Sequence, residues 1–336
     1  MRLDFPFMMA PMAEITTPAL RCAVREYSPD VILHSEMLSA AAIVAGAQKN
    51  SSMADKHPFD DPLAYQILGS DPSMMADAAA ILCEKGCFAI DINMGCSAPD
   101  ILKKGQGACL IRDPHRARAV VESCRKAVSA NLSVKMRTGF RSYDDVDPVG
   151  FAKMLEDSGA DYVTVHPRYA KLGFKRTADW EITARIKRAL KIPVIGNGDI
   201  TSPGTALERM RSCGCDGIMI GREAVKSPWI FRLCSDMLGQ KGRTLEVDIE
   251  KVFVGVLENT KKYLPAELHK SRGLRFGFYF SGNAVYGHSL FTMLRKHPDL
   301  DGMIGVVREY YRRNPAEKTI TFINGIPSAG AAGSRQ

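Results

Sequence analysis

Ala89-Ile90-Asp91-Ile92-Asn93-Met94-Gly95-Cys96-Ser97-Ala98-Pro99, running on through Lys103-Lys104-Gly105-Gln106-Gly107-Ala108-Cys109-Leu110, is a short apolar run that breaks into a polar, glycine-bearing loop. Residues 89 to 93 read as a buried strand, and the loop after them presents a thiol at Cys96. An amide at Asn93 followed three residues later by a thiol can hold a flat, hydrogen-bonding substrate beside a proton donor. The same residues also fit a plainer account, in which Cys96 is a small buried apolar side chain. The rest of the chain has to decide.

Seven further runs share this form: Phe7 to Ala10, Val31 to Leu33, Ala64 to Leu68, Ser133 to Met136, Tyr162 to Val165, Pro193 to Gly196 and Gly217 to Ile220. Segments with helical spacing alternate with them, among them Met74 to Lys85, Arg116 to Val128, Val149 to Ser158, Trp180 to Leu190 and Pro203 to Cys213. Such alternation requires a parallel sheet covered by helices. Eight units within about 240 residues predict an α/β chain with a (β/α)8 TIM barrel, an open doubly wound sheet being the alternative because periodicity does not show closure. Asp71, Asp113, Asp147 and Ser202 are expected helix caps beside prolines, and Gly86, Gly159 and Gly214 expected helix ends.

From about Leu238 the texture changes. Gly239 to Arg243 is a glycine- and base-rich connector, and helical patterns follow over Asp248 to Tyr263, Ala266 to Phe280 and Leu300 to Arg313. The predicted organisation is a barrel over 1–238, a smaller all-helical C-terminal domain over 243–325 and a flexible tail over 326–336. Residues 241 to 318 hold fourteen Lys or Arg and nine Asp or Glu, so most of the net charge of +8 lies there. A basic helical surface of this kind suits an anionic partner, nucleic acid first, though it equally suits a merely solvated face.

At 46% hydrophobic and 24% charged residues the chain can build a large core, which excludes disorder. Nine scattered cysteines form no disulfide framework, no second Cys or His pair completes a zinc site, and no apolar segment suffices to cross a bilayer. The N-terminal residues lack the layout of a signal peptide, so a cytoplasmic, monomeric protein without structural metal is the expectation.

In a barrel the residues just after each strand build the site. Those residues are Pro11, Met12 and Ala13, then Gln66, Asn93 and Cys96, Lys135 and Arg137, His166 and Arg168, Asn197-Gly198-Asp199, and Gly221-Arg222. The two glycine-bearing elements after the seventh and eighth runs occupy the usual phosphate position of such barrels. Lys135 and His166 together can bracket a conjugated ring whose heteroatoms gain negative charge on reduction. The remaining histidines, His34 among them, share no spacing and read as structural or surface residues.

Ala10-Pro11-Met12-Ala13, Gln66-Ile67-Leu68-Gly69-Ser70, Asp91-Ile92-Asn93-Met94-Gly95-Cys96, Val134 to Gly139, Pro193 to Ile200, and Gly221-Arg222 with Pro228 to Phe231 resemble, in order and spacing, the motif series of the tRNA-dihydrouridine synthases. The resemblance implies a flavin enzyme that reduces the C5–C6 bond of selected uridines in tRNA, with NADPH or NADH re-reducing the flavin. It implies FMN held by Pro11, Met12, Ala13, Gln66, Lys135, His166, Asn197, Gly198, Asp199, Gly221 and Arg222. Asn93 would read the uracil edge, Cys96 would donate the proton, with Cys109 a substitute acid, and Arg137 and Arg168 would lie near the nucleotide. The chain departs from the family's usual form at Ser97, at Pro167 and over Tyr169 to Arg176. Two other functions remain open: an FMN barrel that reduces a small free substrate, and an RNA-binding protein that keeps the fold without the reaction.

Overall fold

The structure, a computed structural model, describes residues 5–46, 53–142, 144–173, 176–239 and 244–328. Most of the expected connector, 240–243, and of the expected tail, 329–336, lies outside the described residues. By compactness the chain divides into two units. The first comprises 1–12, 30–200 and 208–221; the second comprises 13–29, 201–207 and 222–336.

The first unit carries eight parallel strands: β1 (Phe7–Met9), β2 (Leu33–Ser39), β3 (Leu63–Leu68), β4 (Ala89–Met94), β5 (Asn131–Arg137), β6 (Tyr162–His166), β7 (Val194–Asn197) and β8 (Gly217–Ile220). Their order is β1-β8-β7-β6-β5-β4-β3-β2. A parallel bridge between Met8 and Ile32 joins the two ends, with Met9 N–H donating to the Ile32 carbonyl at 2.9 Å. The sheet is therefore a barrel, and the open alternative is set aside.

Side chains alternate along each strand, so one parity of each faces inward. Met8, Ala10, Ile32, Ala64, Ala89, Tyr162, Ile195 and Met219 form the interior apolar cluster. Two residues further along the same strands the inward parity turns polar, at Gln66, Asp91, Thr164 and Asn197, and Ser133 and Lys135 share it on β5. The apolar plug anchors the barrel; truncating Met8 to Ala would cost about 2–5 kcal/mol.

Helix starts follow local chemistry. Asp71, Asp113 and Asp147 accept hydrogen bonds from Met74, Arg116 and Val149 backbone N–H groups at 2.8, 3.0 and 3.0 Å, each beside a proline that begins its helix. Gly86, Gly159 and Gly214 take φ of +73°, +101° and +67°, the left-handed helix ends expected of them. β2 runs beyond the expected Val31 to Leu33, because His34, Ser35 and Glu36 are buried polar residues that continue the strand through a bulge.

The second unit holds the expected helices, as Ile249–Tyr263, Ala266–Phe280 and Leu300–Arg313, together with Gly287–Arg295. Its core centres on Trp229, packed edge-on against Tyr27 and Phe280, and on the Phe253, Phe276 and Phe280 cluster. The expectation of a purely helical part needs one correction. Thr244–Asp248, Thr319–Ile323 and Ile326–Pro327 form a three-stranded antiparallel sheet. Asn324 and Gly325, at φ of +52° and +80°, make the two-residue turn of its hairpin, so residues 326 and 327 belong to a strand and not to a tail.

Candidate active site

The register of β3, β4 and β5 places Gln66, Asp91 and Ser133 side by side. Ser133 Oγ donates to Asp91 Oδ1 at 2.6 Å, and Gln66 Nε2 donates to Asp91 Oδ2 at 2.7 Å. Asn93 Nδ2 in turn donates to Gln66 Oε1 at 2.8 Å. Asn93 Oδ1 then accepts from the backbone N–H groups of Gly95 and Cys96 at 3.1 and 2.9 Å. A continuous polar chain thus runs from a buried carboxylate to the loop that bears the thiol. Burial pushes the Asp91 carboxyl above its ordinary range, while the bonds from Ser133 and Gln66 and the charge of Lys135 pull it down.

Two further contacts hold that loop. Arg137 Nε donates to the Gly95 carbonyl at 2.9 Å, and Ala108 N–H donates to the Cys96 carbonyl at 2.9 Å. Gly107, at φ +59°, is required there: a Cβ would lie 2.6 Å from the Cys96 carbonyl oxygen. Cys96 itself is half-buried. Cys109 donates its thiol hydrogen to the Leu102 carbonyl at 3.3 Å, which occupies the second thiol within its own loop.

On β5, Lys135 Nζ donates to Asn197 Oδ1 on β7 at 3.0 Å, and Asn197 Nδ2 donates to the Met219 carbonyl on β8 at 2.8 Å. Burial lowers the Lys135 ammonium to about 8, opposed by Asp91 and reinforced by Arg137. The Lys135 charge also helps burial hold His34 down at about 3. His34 therefore lies inside the protein, not on its surface, with no exposure.

Around β6 the contacts are more constrained. Arg168 Nη1 lies 3.2 Å from His166 Nε2, and a guanidinium can only donate, so Nε2 accepts and the ring proton sits on Nδ1. Arg168 Nη2 also grips both Asp199 carboxylate oxygens at 2.8 and 2.7 Å, and the same carboxylate accepts from Ala178 N–H at 2.8 Å. Gly198, at φ +126°, takes a backbone conformation that side chains rarely adopt, and a Cβ there would crowd the His166 ring at 3.0 Å. With Asp199 at φ +53°, the segment after β7 turns sharply through two successive positive-φ residues.

The strand ends of the first unit thus bring together Gln66, Asn93, Cys96, Lys135, Arg137, His166, Arg168, Asn197, Gly198 and Asp199. Gly221 joins Met12, whose Sδ would be 3.5 Å from a Cβ at that glycine. Pro11 precedes Met12 in the same unit, whereas Ala13 and Arg222 belong to the second. Two expected nucleotide contacts are already engaged within the chain. Both ends of the Asn93 amide have partners, and Arg168 is buried against Asp199 and His166. Asn93 thus also holds the Cys96 loop, and Arg168 also bonds the His166 ring. Asp91 and Ser133 carried no expected role; the available signal was a carboxylate inside an apolar strand, a costly placement that calls for partners.

The family profile described as dihydrouridine synthase (Dus) matches residues 8–288. A probable tRNA-dihydrouridine synthase 1 of Synechocystis sp. is 35% identical over 223 residues, covering 66% of this chain and 62% of that protein. A tRNA-dihydrouridine synthase B of Pseudomonas aeruginosa is 35% identical over 313 residues, covering 90% of this chain and 92% of that protein. Among solved structures, a 2-naphthoyl-CoA reductase in complex with 2-naphthoyl-CoA superposes with a TM-score of 0.54 at 11% identity, over 70% of this chain and 50% of the other. A mutant morphinone reductase in complex with tetrahydroNAD gives 0.51 at 12% identity, over 69% and 87%. At such identity these two show the fold alone.

Proposed function

The chain belongs to the dihydrouridine synthase family, and from that premise we propose that it is an FMN-dependent enzyme reducing the C5–C6 bond of particular uridines in tRNA to 5,6-dihydrouridine. The observation that carries the proposal is a thiol, Cys96, in a loop whose four backbone groups at Gly95 and Cys96 are all hydrogen-bonded, just past β4, the strand that pairs Asn93 with Lys135.

The donor set fits a flavin. Lys135 is a largely buried cation whose hydrogen-bond partner is a neutral amide, and a ring that gains negative charge on reduction would satisfy it. The glycine-bearing ends of β7 and β8, at Gly198 and Gly221, stand where such barrels commonly bind phosphate. Pro11, Met12, Gln66, Lys135, His166, Asn197, Gly198, Asp199 and Gly221 of the first unit would hold the flavin. Reduced by NADPH or NADH, FMN supplies the hydride that adds to C6 of the uracil.

Cys96 then gives its thiol proton to C5, and the thiolate regains a proton from solvent. A thiol held beside C5 is acidic enough to protonate an enolate-like carbon. Arg137 fixes the Gly95 carbonyl, and so the approach of the thiol. An uracil stacked in folded RNA must be extruded first, at roughly a few kcal/mol.

In the second unit, residues 268 to 298 contain no Asp or Glu and five Lys or Arg. Phe278 and Tyr286 there are 60% and 63% exposed. A basic surface with exposed rings favours an RNA partner over a small free substrate. All nine cysteines are free, as a reducing cytoplasm requires.

The test is the visible spectrum of the purified protein, followed anaerobically through NADPH addition with and without unmodified tRNA. Flavin bands that bleach with NADPH and return only with uridine-bearing tRNA support the proposal. Return with free uridine alone would favour the small-substrate reading, and a protein that cannot be loaded with FMN would overturn both.

A further inference from the structure

The two amides between Asp91 and the Cys96 loop can face only one way. At one end stands a carboxylate, which accepts; at the other stand two backbone N–H groups, which donate. Gln66 must therefore turn Nε2 to Asp91 and Oε1 to Asn93, and Asn93 must turn Nδ2 to Gln66 and Oδ1 to the loop. Reversing either amide would set oxygen against oxygen or N–H against N–H. Asp91 is wholly buried, and the bonds from Ser133 and Gln66 with the Lys135 charge favour its ionised form against the cost of burial, so what it offers these partners is felt with little screening by water.

We propose that Asp91 is a positioning residue for the reaction assigned above: through Gln66 and Asn93 its buried carboxylate fixes the loop that carries the Cys96 thiol. The inference rests on that reading for its chemistry, but its structural part stands by itself. Asp91 does not reach the reacting atoms. It acts at two removes, by making the chain of bonds charge-assisted at its root and by setting the direction in which each amide points. Ser133 supports it by donating to the second carboxylate oxygen.

The test is Asp91→Asn in the full chain, which keeps the shape and removes the charge. A hydrogen bond to a charged group is stronger than a neutral one by enough to change local opening about tenfold. Backbone hydrogen exchange at Gly95 and Cys96 is expected to quicken by about that factor, with iodoacetamide labelling of Cys96 quickening alongside. Dihydrouridine formation should fall in kcat with KM for tRNA unchanged. Unaltered exchange and labelling at 95 and 96 would overturn the inference. If they change while even the wild-type protein forms no dihydrouridine, the positioning role stands and the reading of the reaction fails.

If Asp91→Asn does not fold, the wild-type protein supplies the measurement. One side-chain amide proton of Gln66 and one of Asn93 should be protected from exchange in the NMR spectrum. Rapid exchange of all four protons would overturn the inference.

Discussion

Lowering the pH from 8 to 5 should destabilise the barrel through a single buried imidazole. His34 has no exposed surface, and its pKa is held near 3, against an ordinary 6.5, by burial first and the Lys135 charge second. The native ring stays neutral down to that value, whereas the unfolded chain takes up a proton once the pH drops below 6.5. Unfolding then binds the proton, so the stability fully present above 6.5 is lost progressively as the pH falls towards 3. At pH 5 the loss from this residue is about 2 kcal/mol relative to pH 8, and it approaches about 1.4 kcal/mol for each further pH unit. A native pKa one unit higher would leave the figure at pH 5 almost unchanged. The assay is urea unfolding at pH 8 and pH 5, followed by fluorescence, Trp180 lying in the barrel unit. His34→Gln serves as reference, since carboxylate titration is common to both proteins. The wild-type protein should lose about 2 kcal/mol more than the variant between the two pH values. Equal losses would refute the reasoning.

Other perturbations test the site. Cys96→Ala should lower dihydrouridine formation by about 10²- to 10⁴-fold with the flavin spectrum intact, the usual worth of a positioned acid; full activity would remove the acid role. Asp199→Ala leaves the buried Arg168 guanidinium without its carboxylate, and should cost about 3–5 kcal/mol in denaturant unfolding. Arg295→Ala with Lys296→Ala should reduce by about two the slope of log affinity for tRNA against log salt, measured by filter binding. An unchanged slope would place the RNA elsewhere.

Much of this was legible in the sequence because it depends on neighbours along the chain. Short apolar runs alternating with helical spacing marked all eight strands, the second only at its first residue, and Asp71, Asp113 and Asp147 marked helix starts by a local bond. The motif series located Cys96, Lys135 and Asn197 at strand ends. The hairpin at Asn324-Gly325 also had its signal, since that dipeptide favours a two-residue turn, but the short strands beside it carry little pattern of their own.

Other features had no local signature. Closure rests on Met8 meeting Ile32, and the C-terminal sheet on Thr244–Asp248 meeting Thr319–Ile323 across some seventy intervening residues. His34, Ser35 and Glu36 lay past the apolar run that marked the strand, and only their burial and register make them part of it. That Asn93 also bonds Gln66, and Arg168 also bonds Asp199, became visible only once the strands were set side by side. Asp91 gained its role only when register set it between Gln66 and Ser133. Sequence by itself determined which segments are strands and helices and which reactive groups stand at their ends, because backbone periodicity and capping are short-range. Tertiary structure alone decided which of those groups are already engaged with one another, because hydrogen-bond partners are chosen by strand register and burial across distant parts of the chain.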